Sequence, residues 1–204
     1  MIRIALVGDI GSGKSFISRL FSYPVFNADK IVSNIYSKNK KIYLKLKKKL
    51  PKFFFNFPVE KESLINAILE NNRNIKVISS IVHPEVRKKL NFFLKKNRKK
   101  KVVILDIPLY LENKLNNKND IVVFVQGNSN EVKKRLKKRK NYNITLINQF
   151  KKIQLPIEKK KKKSDFIIKN DFKMRTVKKY VKNILKNVLN ERSSIRYWNN
   201  RSFS

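Results

Sequence analysis

From Gly8 to Ser15 the chain reads Gly-Asp-Ile-Gly-Ser-Gly-Lys-Ser, a spacing that builds a cradle for an anion. Successive backbone N–H groups can point inward around phosphate oxygens only where no side chain blocks close approach, which is the use of the glycines. Lys14 is then placed to meet the β- and γ-phosphates of a nucleoside triphosphate, and the Ser15 hydroxyl to ligate Mg²⁺. Gly11, Ser12, Gly13, Lys14, Ser15 and Phe16 are the candidate ATP contacts. Asp29 is a lone carboxylate soon after the cradle, suited to accept a proton from a hydroxyl. Arg135 and Arg139, four residues apart on one helix face, form a cationic pair able to neutralise a phosphoryl group in transfer. This set describes γ-phosphoryl transfer to a small hydroxyl acceptor. A GTPase or helicase would need further nucleotide-switch or strand-tracking motifs, and none is visible.

Such residues need a rigid sheet behind them. The apolar run Ile2 to Val7 reads as a strand entering the cradle, and Ser15, Ile17, Ser18 and Leu20 continue as a helix. Pro24 to Asn27 is a short second strand, which puts Asp29 at a strand's carboxyl end, where open α/β sheets place their ligands. Val102 to Asp106, Ile121 to Val125 and Asp165 to Ile168 read as three more strands. Strands alternating with helices predict an α/β fold, a parallel five-stranded sheet flanked by helices. The core spans 1–29, 102–128 and 164–190, with a helical insert over about 30–98 and a lid over about 129–160. Lys30 to Leu50 reads as one basic helix with Ile31, Ile35, Tyr43, Leu46 and Leu50 as its buried positions, ended by Pro51. Phe53 to Phe57 reads as core or as the wall of an apolar pocket, ahead of a base-stacking platform. Glu62 to Asn71 and Val86 to Leu94 carry helical spacing, and Pro84 suits a first helical position, which puts His83 at or near an N-cap. Val177 to Leu189 stripe a closing helix, and residues 191–204 read as a frayed tail. No linker separates domains, so 1–204 is one unit.

Composition narrows the classes. The chain has 204 residues, 41% of them hydrophobic, enough to bury a core. With no cysteine and a single histidine, disulfides, cysteine-ligated zinc and a site built on several imidazoles are excluded. No apolar run approaches the ~18 residues that span a bilayer, and the short N-terminal run leads straight into the cradle, so a cytoplasmic protein without a membrane partner is expected. The net charge of +36 would ordinarily point to nucleic acid. The excess is nearly all lysine, however, spread along the whole chain among many Asn, Ile and Phe residues, while arginine, the better bidentate phosphate reader, is scarce. A drift towards A- and T-rich codons produces that mixture, and no specific nucleic acid is expected. No obligate protein partner is evident.

In their order the motifs resemble those of the dephospho-CoA kinases. The resemblance runs from Ile4 to about Asn170. It consists of the Gly8 to Ser15 loop, Ala28-Asp29 in place of a D-A-D motif, Ile81-Val82-His83-Pro84-Glu85-Val86, Pro108-Leu109-Tyr110-Leu111-Glu112, Arg135-Leu136-Lys137-Lys138-Arg139, and Gln154 followed by Lys160, Asp165 and Asn170. It implies ATP-dependent phosphorylation of the ribose 3′-hydroxyl of dephospho-CoA, with Mg²⁺, on a P-loop NTPase-like sheet. Carried over, Asp29 is the base, Lys14 and Ser15 hold phosphate and Mg²⁺, and Arg139 or Arg135 is a lid arginine. The helical insert takes the acceptor, with His83, Pro108, Leu109 and Glu112 on the acceptor side. Four features depart from the family's pattern: Phe16 stands where a second hydroxyl residue is common, Asn27 replaces the first aspartate of D-A-D, the link between the first helix and the second strand is a few residues short, and Asn148-Gln149-Phe150-Lys151 lacks the arginine common just before Gln154.

Two other readings stay open at the level of residues: another P-loop small-molecule kinase, such as a nucleoside monophosphate kinase, and a basic nucleic-acid-binding P-loop ATPase. All kinase readings require Lys14. Lys14→Ala is expected to abolish phosphoryl transfer with an unchanged circular dichroism spectrum, because the side chain meets phosphate charge and adds little to the core. Near-normal turnover in a folded variant would remove the phosphate cradle from the account.

Overall fold

The computed structural model describes residues 1–138 and 142–199, with side chains as far as 190. Five strands form one parallel sheet: β1 (Ile2–Gly8), β2 (Val25–Asn27), β3 (Val102–Asp106), β4 (Ile121–Gly127) and β5 (Phe166–Asn170), in the order β2-β3-β1-β4-β5. The central strands are largely apolar, Arg3 of β1 apart, because helices cover both faces of a parallel sheet. All five residues of β3 are buried. Strand β1 pairs with β3 on one side and β4 on the other, with Leu6 level with Asp106 and Gly8 level with Val125. Its two neighbours are reached by crossovers of opposite sense, so the crevice at its carboxyl end is where a ligand fits.

Helices α1 (Lys14–Leu20) and α9 (Met174–Asn199) cover one face. Ile17 and Phe21 pack there with Val177, Val181 and Ile184. The opposite face is covered by the second half of α5 (Arg73–Lys96), whose Leu90 joins Ala5, Leu105 and Phe124. A separate apolar cluster lies in the helical insert, where α2 (Ala28–Lys38), α3 (Lys40–Lys49), α4 (Lys61–Glu70) and the first half of α5 meet around Leu46, Phe54, Ala67 and Val82. Three short helices follow β4: α6 (Ser129–Lys137), α7 (Ile144–Lys152) and α8 (Ile157–Lys162). Leu146 and Phe150 of α7 pack against the insert's cluster.

Three expectations are corrected. The helix expected over Lys30 to Leu50 is two, broken at Asn39, whose side chain accepts from Ile42 N at 3.2 Å while its own N–H closes α2 on Ile35 O at 2.9 Å. An Asn that hydrogen-bonds the backbone locally competes with helix continuation. His83 is not at an N-cap: α5 runs through Pro84, placing His83 mid-helix. Packing overrides local preference here, because Ile75, Ile78 and Val82 before the proline belong to the insert's cluster and Leu90 after it to the sheet's. The frayed tail is helical as far as Asn199, a stretch with neither Gly nor Pro to stop propagation, and residues 200–204 lie outside the described residues. Of the phenylalanine run, Phe54 is core, whereas Phe55 is 65% exposed.

A proline inside a helix costs about 3 kcal/mol against alanine. Pro84→Ala is therefore expected to raise stability by about 1–3 kcal/mol in a denaturant titration. A loss of stability would mean that Pro84 itself is needed for α5 to serve both clusters.

Candidate active site

The cradle is assembled from three strand ends. At Gly8 the chain passes so close to β4 that a Cβ would stand 2.5 Å from Val125 O. Gly13 precedes α1 with φ +95°, and a Cβ there would stand 2.5 Å from Asn170 Nδ2. The space a side chain would fill at Gly13 is thus used by Asn170 at the end of β5. Asn170 is buried, donates to Ser12 O at 2.8 Å and accepts from Phe172 N at 2.9 Å. Ser12 lies behind the loop, while Gly11, Gly13, Lys14, Ser15 and Phe16 line a cavity of about 340 Å³.

Lys14 curls back into the loop, donating to Gly8 O at 3.1 Å and Asp9 O at 2.7 Å. Burial pushes its pKa down from 10.5 to about 8. Asp106 opposes that shift most strongly among its neighbours, Lys160 adds to it, and Asp9 and Asp29 oppose it more weakly.

Asp106 ends β3 beside Asn27, its register partner in β2. The Asn27 amide does two jobs: its Nδ2 donates to Asp106 Oδ2 at 2.7 Å, and its Oδ1 accepts from Lys30 N at 2.8 Å. Asn27 is therefore the N-cap of α2, and Asp29, in the first turn, is relieved of that duty. The departure from D-A-D has a local logic, since a carboxylate cannot donate to Asp106.

A second cavity of about 370 Å³ opens among α2, α4, α5 and α7, walled mainly by apolar side chains such as Val32, Leu64, Ile78 and Phe150. His83 and Arg87 stand in its wall. Burial, and secondly Arg87, push the His83 pKa below its ordinary 6.5, so the imidazole is neutral at pH 7. Asp29, Ile107, Pro108 and Leu109 line both cavities and form the partition between them. Leu109 holds φ +58°, a left-handed conformation that costs a branched side chain roughly 1 kcal/mol or more and is kept where surrounding structure dictates it.

The residues singled out in the sequence divide as follows. Lys14, Ser15 and Phe16 meet in the phosphate cavity with Asp29, while His83 faces only the apolar one. Glu112 lines the phosphate cavity and not the apolar one, and its Oε1 accepts from Leu155 N at 2.9 Å and pairs with Lys160 Nζ at 3.0 Å. Arg135 lines neither cavity; its guanidinium lies 4.2 Å over the Phe172 ring. Arg139 lies outside the described residues. In the sequence Lys160 and Asn170 stand only as members of a motif with no role attached, and Asp106 only as the fallback to Asp29 as base. An acidic residue closing a wholly apolar strand is a usable signal for Asp106. Lys160 is hidden in a run of five lysines.

A family model described as dephospho-CoA kinase matches residues 2–176. A dephospho-CoA kinase of Wolbachia pipientis wMel is 36% identical over 187 residues, covering 89% of this chain and 95% of the relative. The crystal structure of a Thermus thermophilus protein superposes with a TM-score of 0.73 at 25% identity, over 93% of this chain and 97% of that one. A dephospho-CoA kinase from Campylobacter jejuni gives 0.59 at 22% identity over 91% and 96%, a likeness of fold.

Asn27→Asp sets two carboxylates side by side where a hydrogen bond now stands, and is expected to destabilise the ligand-free protein by about 1–3 kcal/mol at pH 7. Each carboxylate would raise the other's folded-state pKa above its unfolded value, so stability is lost as pH rises through the raised value and the deficit fades towards pH ~4. Melting curves of both proteins across that range measure it; a deficit that grows on acidification would contradict the pairing.

Proposed function

The chain belongs to the dephospho-CoA kinase family, and from that premise we propose how its residues share the work of phosphorylating dephospho-CoA with ATP. That reaction, which forms coenzyme A, is the chain's function. The observation that carries the division of labour is that Asp29 lines both cavities, the only carboxylate among the described residues to do so. ATP occupies the cradle side, with Gly11, Gly13, Lys14, Ser15 and Phe16 around its phosphates. The acceptor enters between the insert helices, against His83, Pro108 and Leu109, and brings its ribose 3′-hydroxyl to the partition.

At the partition the 3′-oxygen attacks the γ-phosphorus. The bond from that phosphorus to the β,γ-bridging oxygen breaks, and its electron pair leaves with ADP. The hydroxyl proton passes to the Asp29 carboxylate, which also orients the attacking oxygen. Lys14, held in the ligand-free loop by two carbonyl oxygens, turns its ammonium to the β- and γ-phosphates. Arg135 and Arg139 are the proposed lid cations; Arg135 must leave Phe172 to act. Leu109 and the apolar walls exclude water, which would otherwise compete as acceptor.

Mg²⁺ fits the donor set. The Ser15 hydroxyl and the Asp106 carboxylate are hard oxygen donors on the cradle side, and Mg²⁺ takes few protein ligands, completing its shell with phosphate oxygens and water. When bound it neutralises charge on the phosphates. The requirement for ATP favours a cytoplasmic site of action.

Asp29→Asn separates proton acceptance from shape. With Asn27 holding the cap, the variant is expected to melt like the parent and to bind ATP, while dephospho-CoA-dependent ADP formation falls by on the order of 10²-fold or more. A D29N enzyme turning over at close to the parent rate would transfer the role of base to Asp106.

A further inference from the structure

Lysine is rarely buried without a reason, because its ammonium must keep partners when it leaves water. Among the lysines of α8, Lys160 is 3% exposed and the rest of the run faces outward or is half-buried. Its Nζ pairs with Glu112 at 3.0 Å and donates to Gln154 Oε1 at 2.8 Å. Glu112 is itself fixed by Leu155 N, and Ser164 Oγ donates to Lys160 O at 2.7 Å, so both the head and the backbone of Lys160 are held. All three polar side chains of this group, Glu112, Gln154 and Lys160, line the phosphate cavity opposite the cradle. An ammonium carries three N–H donors, and these two contacts use two of them.

We propose that Lys160 is a second phosphate-binding cation, aimed into the phosphate cavity by Glu112 and Gln154, that contacts the γ-phosphoryl group during transfer. The proposal rests on the kinase reading above and adds a catalytic residue to it. Glu112 is then a positioning residue on the donor side instead of an acceptor contact. The bonds made and broken are those already described, from the 3′-oxygen to the γ-phosphorus and from that phosphorus to the bridging oxygen. Lys160 moves no proton; it answers charge on the equatorial oxygens. Its positive charge already reaches Lys14, which it presses towards the neutral form. The groups facing Lys14 are Asp9 of the loop, Asp29 of α2, Asp106 of β3 and Lys160 of α8, so Lys160 is the one cation in that set.

The test compares the full chain with Lys160→Met, and with Lys160→Met combined with Glu112→Gln, which removes both charges together and spares the fold an unpaired buried carboxylate. Rates are taken per folded site, counted by ADP titration. Both variants are expected to lose about 10²-fold in kcat, with the KM for dephospho-CoA changing by less than about threefold. A packing role would instead be repaired in the double variant. The double variant turning over within about threefold of the parent overturns the proposal. If the parent itself forms no ADP with dephospho-CoA, the kinase reading fails separately, and the ratio of ATP to ADP affinity decides for Lys160, since only ATP carries the γ-phosphoryl group: a ratio in Lys160→Met equal to the parent's also overturns the proposal.

Discussion

A positive charge has to be kept inside a nearly closed loop, and most of the site is arranged around that requirement. Burial, only partly offset by the carboxylates around it, lowers the Lys14 pKa to about 8, a net penalty on the charged form of roughly 3 kcal/mol relative to the unfolded chain. Below pH ~8 the penalty is present in full; between about 8 and 10.5 the folded protein releases a proton the unfolded chain still holds, so stability rises with pH while the charge needed for phosphate is lost. Two loop carbonyls and the Asp106 carboxylate keep the ammonium in place. Asp106 is held by Asn27, and Asn27 caps the helix that carries Asp29. Cation, carboxylates and proposed base thus form one connected set. Their mutual placement comes from the parallel register of β1, β3 and β2.

The second constraint is separation. The sheet supplies a polar cavity for phosphates, and the helical insert, with a core of its own around Leu46 and Phe54, supplies an apolar one. Only a thin partition at Asp29 and Ile107 to Leu109 divides them. A transfer reaction benefits from that arrangement, because two reactants held on either side of one carboxylate meet in a fixed orientation while water is kept out. Helix α5 ties the two halves together, which explains why it continues through Pro84 where local preference would end it.

Much of this was legible in the residues. The central strands announce themselves as apolar runs, with Arg3 the one charged residue inside β1, and the cradle by its closely spaced glycines. Asp29 was found because it follows a strand end. Elsewhere short-range signals competed with distant ones. Pro84 reads locally as a helix start, yet apolar contacts on both sides outweigh it. Asn39 looks like one more polar residue in a basic helix, and its backbone hydrogen bonds split that helix. The partners of the Glu112 carboxylate, Leu155 N and Lys160, are distant in sequence and give no local sign of the pairing. Asn170 gives no hint in sequence that it will fill the space beside Gly13. Lys160 stands in a motif of the sequence, but within a basic run every lysine looks solvated, and only the tertiary structure shows this one turned inward.

The central claim is that one phosphoryl group crosses the Asp29 partition from ATP to dephospho-CoA. It is tested most directly by phosphorus NMR of reactions in which the chain is offered ATP with dephospho-CoA, with AMP or with no acceptor. The expected result is ADP in step with a new phosphomonoester on the ribose 3′-oxygen of dephospho-CoA, and negligible ADP in the other two mixtures. ADP released equally without acceptor, or faster with AMP, would contradict the claim.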